Sequence, residues 1–224
     1  MPSEQSEKGM DFIMDFKRAR NDEQIANRQE EIINACYSLY SEGKYDDITF
    51  GKISEMTSIS RPSIYNYYIT REEILLDVLE KEYFKWYENL KNSFDENTRL
   101  NKKDLCGLLI NSFDGFDIFL RLLSIQYSII EKSCSFEKLT QFKMNTLSIL
   151  KSLENMVGKT FPRSNAEDKS TFVLTVSSAV GSFYEMCNPN ETQLKAMKVA
   201  NREYKLPNFK DLYSKYIETL IANL

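Results

Sequence analysis

Two runs in the chain bring together side chains able to meet a polyanion. Lys17, Arg18 and Arg20 fall in residues 16–21 with no acid among them. Thr49, Lys52, Ser60, Arg61, Ser63, Tyr65, Asn66, Tyr67 and Arg71 fall in residues 49–71, opposed by Glu55 alone. Hydroxyls, amides and guanidinium groups at this density suit phosphate oxygens and base edges. The surrounding charge runs the other way. The chain carries −4 overall, and residues 1–90 hold 11 basic and 18 acidic residues. Nucleic-acid contact is therefore expected over a small surface, with the acids turned away.

Other chemistries lack their residues. There is no histidine, and Cys36, Cys106, Cys134 and Cys187 form no C-x-x-C pair, so neither a metal site nor a cofactor is expected. The scattered cysteines fit two readings, buried small hydrophobes or a redox-sensing thiol. No phosphate-cradling glycine loop, G-x-S-x-G or recognisable carboxylate pair occurs, and the chain is not expected to be an enzyme. The first apolar run, Phe12-Ile13-Met14, is flanked by Asp11 and Asp15, and no run is long enough to span a bilayer. A cytoplasmic protein without membrane contact is the expectation.

With 7 Gly and 5 Pro in 224 residues, the elements that position these groups should be long helices. Residues 1–20 read as a flexible arm with a basic end, either a minor-groove contact or a solvated tail. A helix capped by Asn21 carries Ile25, Ile32, Cys36, Leu39 and Tyr40 at helical spacing and stops at Gly43. Thr49 caps a short helix to about Met56; Thr57-Ser58-Ile59 makes a turn; Ser60 caps a second short helix to about Tyr68, with Pro62 in its first turn. Thr70 and Glu73 form a capping box opening a helix to about Lys91, and residues 92–100 read as a loop. Further helices are expected at about 101–113, 115–132, 136–160, 166–186 and 209–223. Ser164 and Glu167 box the fourth of these, and a further helix at 191–203 fits the long connection 187–208. Two short helices joined by a three-residue turn and packed through Ile53, Ile59 and Ile64 fit a helix-turn-helix. They also fit any tight helical hairpin.

The residues from Arg28 to Leu79 separate those readings. Arg28, Ile32 and Ala35, then Gly43-Lys44-Tyr45, Ile48-Thr49, Ile53, Ile59-Ser60, Ile64-Tyr65, Tyr67-Tyr68, Thr70-Arg71-Glu72-Glu73 and Leu75 follow one another without a gap. This segment resembles the DNA-binding domain of the tetracycline-repressor (TetR) family. The resemblance implies an all-α, homodimeric transcription regulator bound to double-stranded operator DNA. It would have an arm (1–20), a three-helix helix-turn-helix domain (21–70), a connecting helix (71–91) and a C-terminal effector-binding and dimerisation domain (92–224).

By position, Thr49 and Arg71 would hold phosphates, Arg61, Pro62 and Ser63 would face base edges, and Tyr65 and Tyr67 would touch backbone or bases. Lys52, Ser60 and Asn66 complete the contact set. Core packing is the competing role for the tyrosines, most of all for Tyr68. Ser58 stands where the family has a turn glycine, so the turn must either manage without one or strain the serine. Asn66, Tyr68, Pro62 and Arg71 also depart from the usual residues, and Arg61, Pro62, Ser63 and Asn66 leave the operator sequence open.

The resemblance extends a dimer and an effector to residues 92–224. Leu212, Tyr216 and Leu220 on the last helix, with Phe172, Val176, Ala179, Val180 and Phe183 on helix 166–186, would form a four-helix dimer interface or else serve the subunit core. An effector pocket would draw on Phe113, Phe116, Phe119, Leu123, Tyr127, Phe142, Met144, Phe172 and Tyr184, each of which also fits plain core. The expected function is a repressor released by a small apolar or amphipathic ligand. The other reading is a DNA-bound protein controlled by a protein partner, with no small effector.

Overall fold

Among the described residues, seven helix starts are closed by a local side chain, which accepts a hydrogen bond from an amide the helix itself leaves unpaired. Thr49, Ser60 and Thr70 do so through hydroxyls, receiving the N–H of Lys52, Ser63 and Glu73. Asn101, Asn165, Asn190 and Asn208 do so through amide oxygens. The helices were located in a computed structural model, which describes the backbone of residues 4–94, 100–222 and 224, and side chains from Asp22 onward. Among the described residues there is no strand. None of the described helices is long and apolar enough to cross a membrane.

The helices are α1 (Glu4–Glu42), α2 (Phe50–Glu55), α3 (Arg61–Ile64), α4 (Arg71–Ser93), α5 (Lys102–Asn111), α6 (Asp117–Ile125), α7 (Phe136–Thr160), α8 (Ala166–Cys187), α9 (Glu191–Ala200) and α10 (Phe209–Ile221). Three expected boundaries move. Asn21 is not a cap, because α1 is continuous from Glu4 through the stretch expected as a flexible arm. The side chains of Lys17, Arg18 and Arg20, and with them the arm's proposed contacts, lie outside the described residues. Helix α8 is capped by Asn165, which accepts from Asp168 N at 2.8 Å, while Ser164 instead donates to the Leu224 carbonyl at 2.5 Å. Helix α3 is only one turn, and the chain winds on to Tyr68 through turn hydrogen bonds from Asn66, Tyr67 and Tyr68 back to Ser63 and Ile64. Of the expected loop 92–100, residues 95–99 lie outside the description.

The chain divides into two units, Met1–Val78 and Leu79–Leu224, so the boundary falls inside α4. The first unit, the head, has a core of Ile32, Cys36, Tyr40, Ile48, Ile53, Ile59, Ile64, Tyr68, Ile74 and Leu75, all buried. The hydroxyl of Tyr68 reaches Asp77 at 2.7 Å, which settles its role as a packed residue with a satisfied polar tip.

The second unit packs α6 and α10 against α8, and α10 also against α5. Gly181 sets the α6–α8 approach: a Cβ there would lie 2.5 Å from the Leu123 carbonyl oxygen, and no larger residue fits without backbone movement. Beyond Ile125, α6 widens into a π turn, Gln126–Ile130, in which Glu131 N–H reaches five residues back to the Gln126 carbonyl. The widened turn buries Gln126, whose side chain accepts from the Tyr83 hydroxyl (3.0 Å) and donates to Glu131 (2.7 Å). Lys143 completes this chain of bonds on Glu131 at 2.6 Å.

Candidate nucleic-acid interface and effector cavity

The head presents its candidate contacts around the helix-turn-helix. Thr49, Lys52, Ser60, Arg61, Pro62, Tyr65 and Asn66 are exposed, and Ser63, Tyr67 and Arg71 are half-buried. Thr49, Arg61, Tyr65 and Arg71 line one shallow groove, together with Ile69, which is 70% exposed. The ring of Phe50 meets Tyr65 edge-on at 4.7 Å and holds it in this position.

Ser58 is not strained, since no described non-glycine residue has a positive φ. Neighbours on α1 hold the turn instead. The Glu31 carboxylate accepts from both the Ser58 N–H and its hydroxyl, and Arg28 donates to the same hydroxyl at 2.6 Å. The Ser58 amide also keeps the Glu31 carboxyl below its ordinary range, against the small opposing effect of burial.

Arg71 does more than the resemblance implies. Its Nε pairs with Glu72 at 3.0 Å, Nη1 donates to the Ile48 carbonyl at 2.8 Å, and the guanidinium lies 4.1 Å from the centre of the Tyr45 ring. The Tyr45 hydroxyl donates to the same Glu72 carboxylate. Burial pushes Glu72 up, but Tyr45 and Arg71 outweigh it and leave the carboxyl below its usual range. Arg71 is thus a brace between the 45–48 segment and the start of α4. Lys52 is paired with Asp47 at 3.2 Å, an exposed pair of the kind a phosphate easily displaces.

The second unit encloses an apolar cavity of about 40 Å³. Its wall comes from Tyr83, Trp86 and Leu90 of α4, Leu105, Leu108 and Leu109 of α5, Phe119 and Leu123 of α6, and Phe113 between them. Ile149, Leu150, Leu153, Met156 and Val157 of α7, Phe172, Val173, Val176, Ser177 and Val180 of α8, and Tyr213 of α10 complete it. Polar tips in this wall have partners in the protein. Tyr83 donates to Gln126, Trp86 Nε1 to Ser112 Oγ at 2.9 Å, and Tyr213 to the Val176 carbonyl at 2.7 Å. The rings are left facing the cavity, a dry surface for a hydrocarbon.

Of the pocket residues expected from sequence, Phe113, Phe119, Leu123 and Phe172 line this cavity. The other five do not. Tyr127 and Met144 are 51% and 63% exposed, and Phe142 is buried beside Tyr83 but outside the wall. Phe116 is half-buried, and Tyr184 packs on Phe209 at 5.9 Å. Sequence reasoning missed the α4 and α10 contributions and the leucines of α5, and on α7 it chose Phe142 and Met144 rather than the lining residues between Ile149 and Val157. The apolar stripe of α4 was visible, and its continuation through Trp86 to Leu90 was the available signal. The dimer set divides as well. Phe172, Val176 and Val180 point inward and are buried, which corrects their assignment to a partner face, whereas Ala179, Phe183, Leu212, Tyr216 and Leu220 are half-buried.

The described residues hold no cluster able to bind a metal, and the four cysteines are free thiols. Burial pushes the Cys36 thiol up to about 12, which suits the hydrophobe reading rather than a redox sensor.

Residues 80–223 match the family described as tetracyclin repressor-like, C-terminal domain. No curated protein sequence matches the chain. The fatty acid degradation regulator FadR from Bacillus halodurans shares the fold with a TM-score of 0.55 at 16% identity, covering 88% of this chain and 95% of its own. The transcriptional regulator FadR from Bacillus subtilis, crystallised with stearoyl-CoA, shares it with a TM-score of 0.51 at 16% identity, covering 87% of this chain and 98% of its own. Matched over well more than half its length, this all-α chain belongs to the tetracycline-repressor family of transcriptional regulators.

Proposed function

We propose that the protein is a homodimeric repressor whose head binds a two-fold operator and whose cavity takes an apolar or amphipathic ligand that releases the DNA. The observation that carries this reading is the dry cavity, walled in part by α4, the helix whose first turn supplies Arg71 to the head groove. About 40 Å³ is well below the roughly 300–1,000 Å³ of ordinary ligand sites, so a ligand must widen the cavity as it enters. A ligand that binds the widened state more tightly moves α4 residues 83–90. Release follows if the two states also differ in DNA affinity.

The shared fold with a regulator crystallised with stearoyl-CoA supports a long acyl chain as the first ligand class to try. Dimerisation is assigned to the outer faces of α8 and α10, through Ala179, Phe183, Leu212, Tyr216 and Leu220. Exposed Met186 extends the α8 face.

The test uses a DNA fragment selected by the protein from a random pool, with binding followed by fluorescence anisotropy. Stearate or stearoyl-CoA should weaken binding at least tenfold, and Leu153→Trp, which fills the cavity, should abolish that response while leaving DNA affinity intact. Control by a protein partner becomes the better reading if no acyl compound binds and Leu153→Trp behaves as the parent.

A further inference from the structure

We propose that a basic groove beside the cavity binds the phosphorylated headgroup of an acyl ligand whose chain occupies the cavity. This rests on the acyl-ligand reading above. The groove has a volume of about 760 Å³ and takes four lysines into its wall: Lys91 of α4, Lys151 and Lys159 of α7, and Lys169 of α8. Glu154 is the acid among them, on a chain whose overall charge is −4. Lys151 and Lys159 stand eight residues apart on one helix, about 12 Å along its axis. Lys169 lies across Gly158, where a Cβ would come within 3.7 Å of its ammonium nitrogen.

Two of these lysines stand in ion pairs with their side chains largely exposed: Lys151 meets Glu154 at 2.6 Å and Lys91 meets Glu88 at 3.9 Å. Such pairs contribute little and yield readily to a multiply charged anion. A fatty acid has one carboxylate and needs one cation, whereas four lysines in one groove suit several phosphates.

Met156 joins the two spaces, since it lies in the wall of both the groove and the apolar cavity. An unbranched, adaptable thioether is a side chain that can move aside for a hydrocarbon. The groove and cavity together fit a molecule with a polyanionic head and a long apolar tail, entering tail-first past Met156.

Calorimetric titration of the full chain with stearoyl-CoA, stearate and CoA tests this, alongside the variant Lys91→Gln/Lys151→Gln/Lys169→Gln. The parent protein should bind stearoyl-CoA at least tenfold more tightly than stearate, with that advantage shrinking as salt rises. The triple variant should lose tenfold or more for stearoyl-CoA and keep its stearate affinity. Equal parent affinities for the two compounds, without salt dependence, overturn the headgroup assignment and leave the acyl cavity standing; that measurement needs no variant. Stearoyl-CoA binding unchanged in the triple variant does the same. No binding of either compound overturns both proposals, and CoA binding as tightly as stearoyl-CoA overturns the role of the chain.

Discussion

The two units of this chain treat their polar side-chain tips in opposite ways. In the head, Arg61, Tyr65 and Asn66 carry theirs into solvent around a shallow groove, while Glu31, Glu72 and Asp77 hold the backbone and tyrosines behind them. In the C-terminal unit, Tyr83, Trp86 and Tyr213 spend their donors on Gln126, Ser112 and the Val176 carbonyl, and only ring faces meet the cavity. The first arrangement suits a partner that is itself wet and charged. The second suits one that must leave water to bind. The two surfaces therefore call for partners of opposite chemistry.

That contrast is open to direct attack. The largest effect should come from Gly181→Val, which drives a side chain into the Leu123 backbone and should destabilise the C-terminal unit by about 3 kcal/mol. Chemical denaturation followed by Trp86 fluorescence measures it, and an unchanged midpoint would mean that the close α6–α8 approach is not required. Arg71→Ala comes next. It leaves Glu72 without its cation and the Ile48 carbonyl without this donor, costing the head about 2 kcal/mol, and it should weaken binding to every DNA sequence while reducing the salt slope by about one.

Arg61→Ala should leave thermal stability untouched, because the side chain is exposed, and relax preference at one base-pair position roughly tenfold, about 1.4 kcal/mol. If Arg61→Ala instead weakens all sequences alike, the two arginines have exchanged roles. The smallest effect is on pH. The Glu31 carboxyl is lowered in the folded head, so its contribution is present above the ordinary carboxylate value, about 4.3, and is lost as pH falls through its lower folded value. Glu31→Gln should flatten that part of the acid-side stability profile.

The difference between the units also explains what could be read from residue order. Thr49 and Ser60 were legible as caps because the bond each makes spans three residues, and the helix-turn-helix follows from such local signals. Ser58 was legible as a departure but not in its remedy, since Glu31 and Arg28 lie 27 and 30 residues away. The cavity is non-local throughout. Tyr127 follows Phe119 and Leu123 at four-residue spacing, yet it lies in the π turn, 51% exposed and outside the wall. On α7 the lining falls at 149, 150, 153, 156 and 157, a face that excludes Met144. Apolar spacing marks a stripe, but which neighbour it meets is fixed only by packing.

The π turn makes chain length itself a variable. Removing any one residue between Gln126 and Ile130 would let the turn relax into ordinary α-helix, a gain in local regularity. The widened turn holds one residue more than an α-helical turn, so the chain after such a deletion would keep close to its parent phase about the helix axis. Gln126, which precedes the deletion, would keep its bond to Tyr83, and Glu131 would still face Lys143. The segment therefore absorbs the loss of one residue more readily than the gain of one: a single-codon deletion removes slack the turn already holds, while an insertion would turn the downstream helix by about 100° and uncouple Glu131 from Gln126.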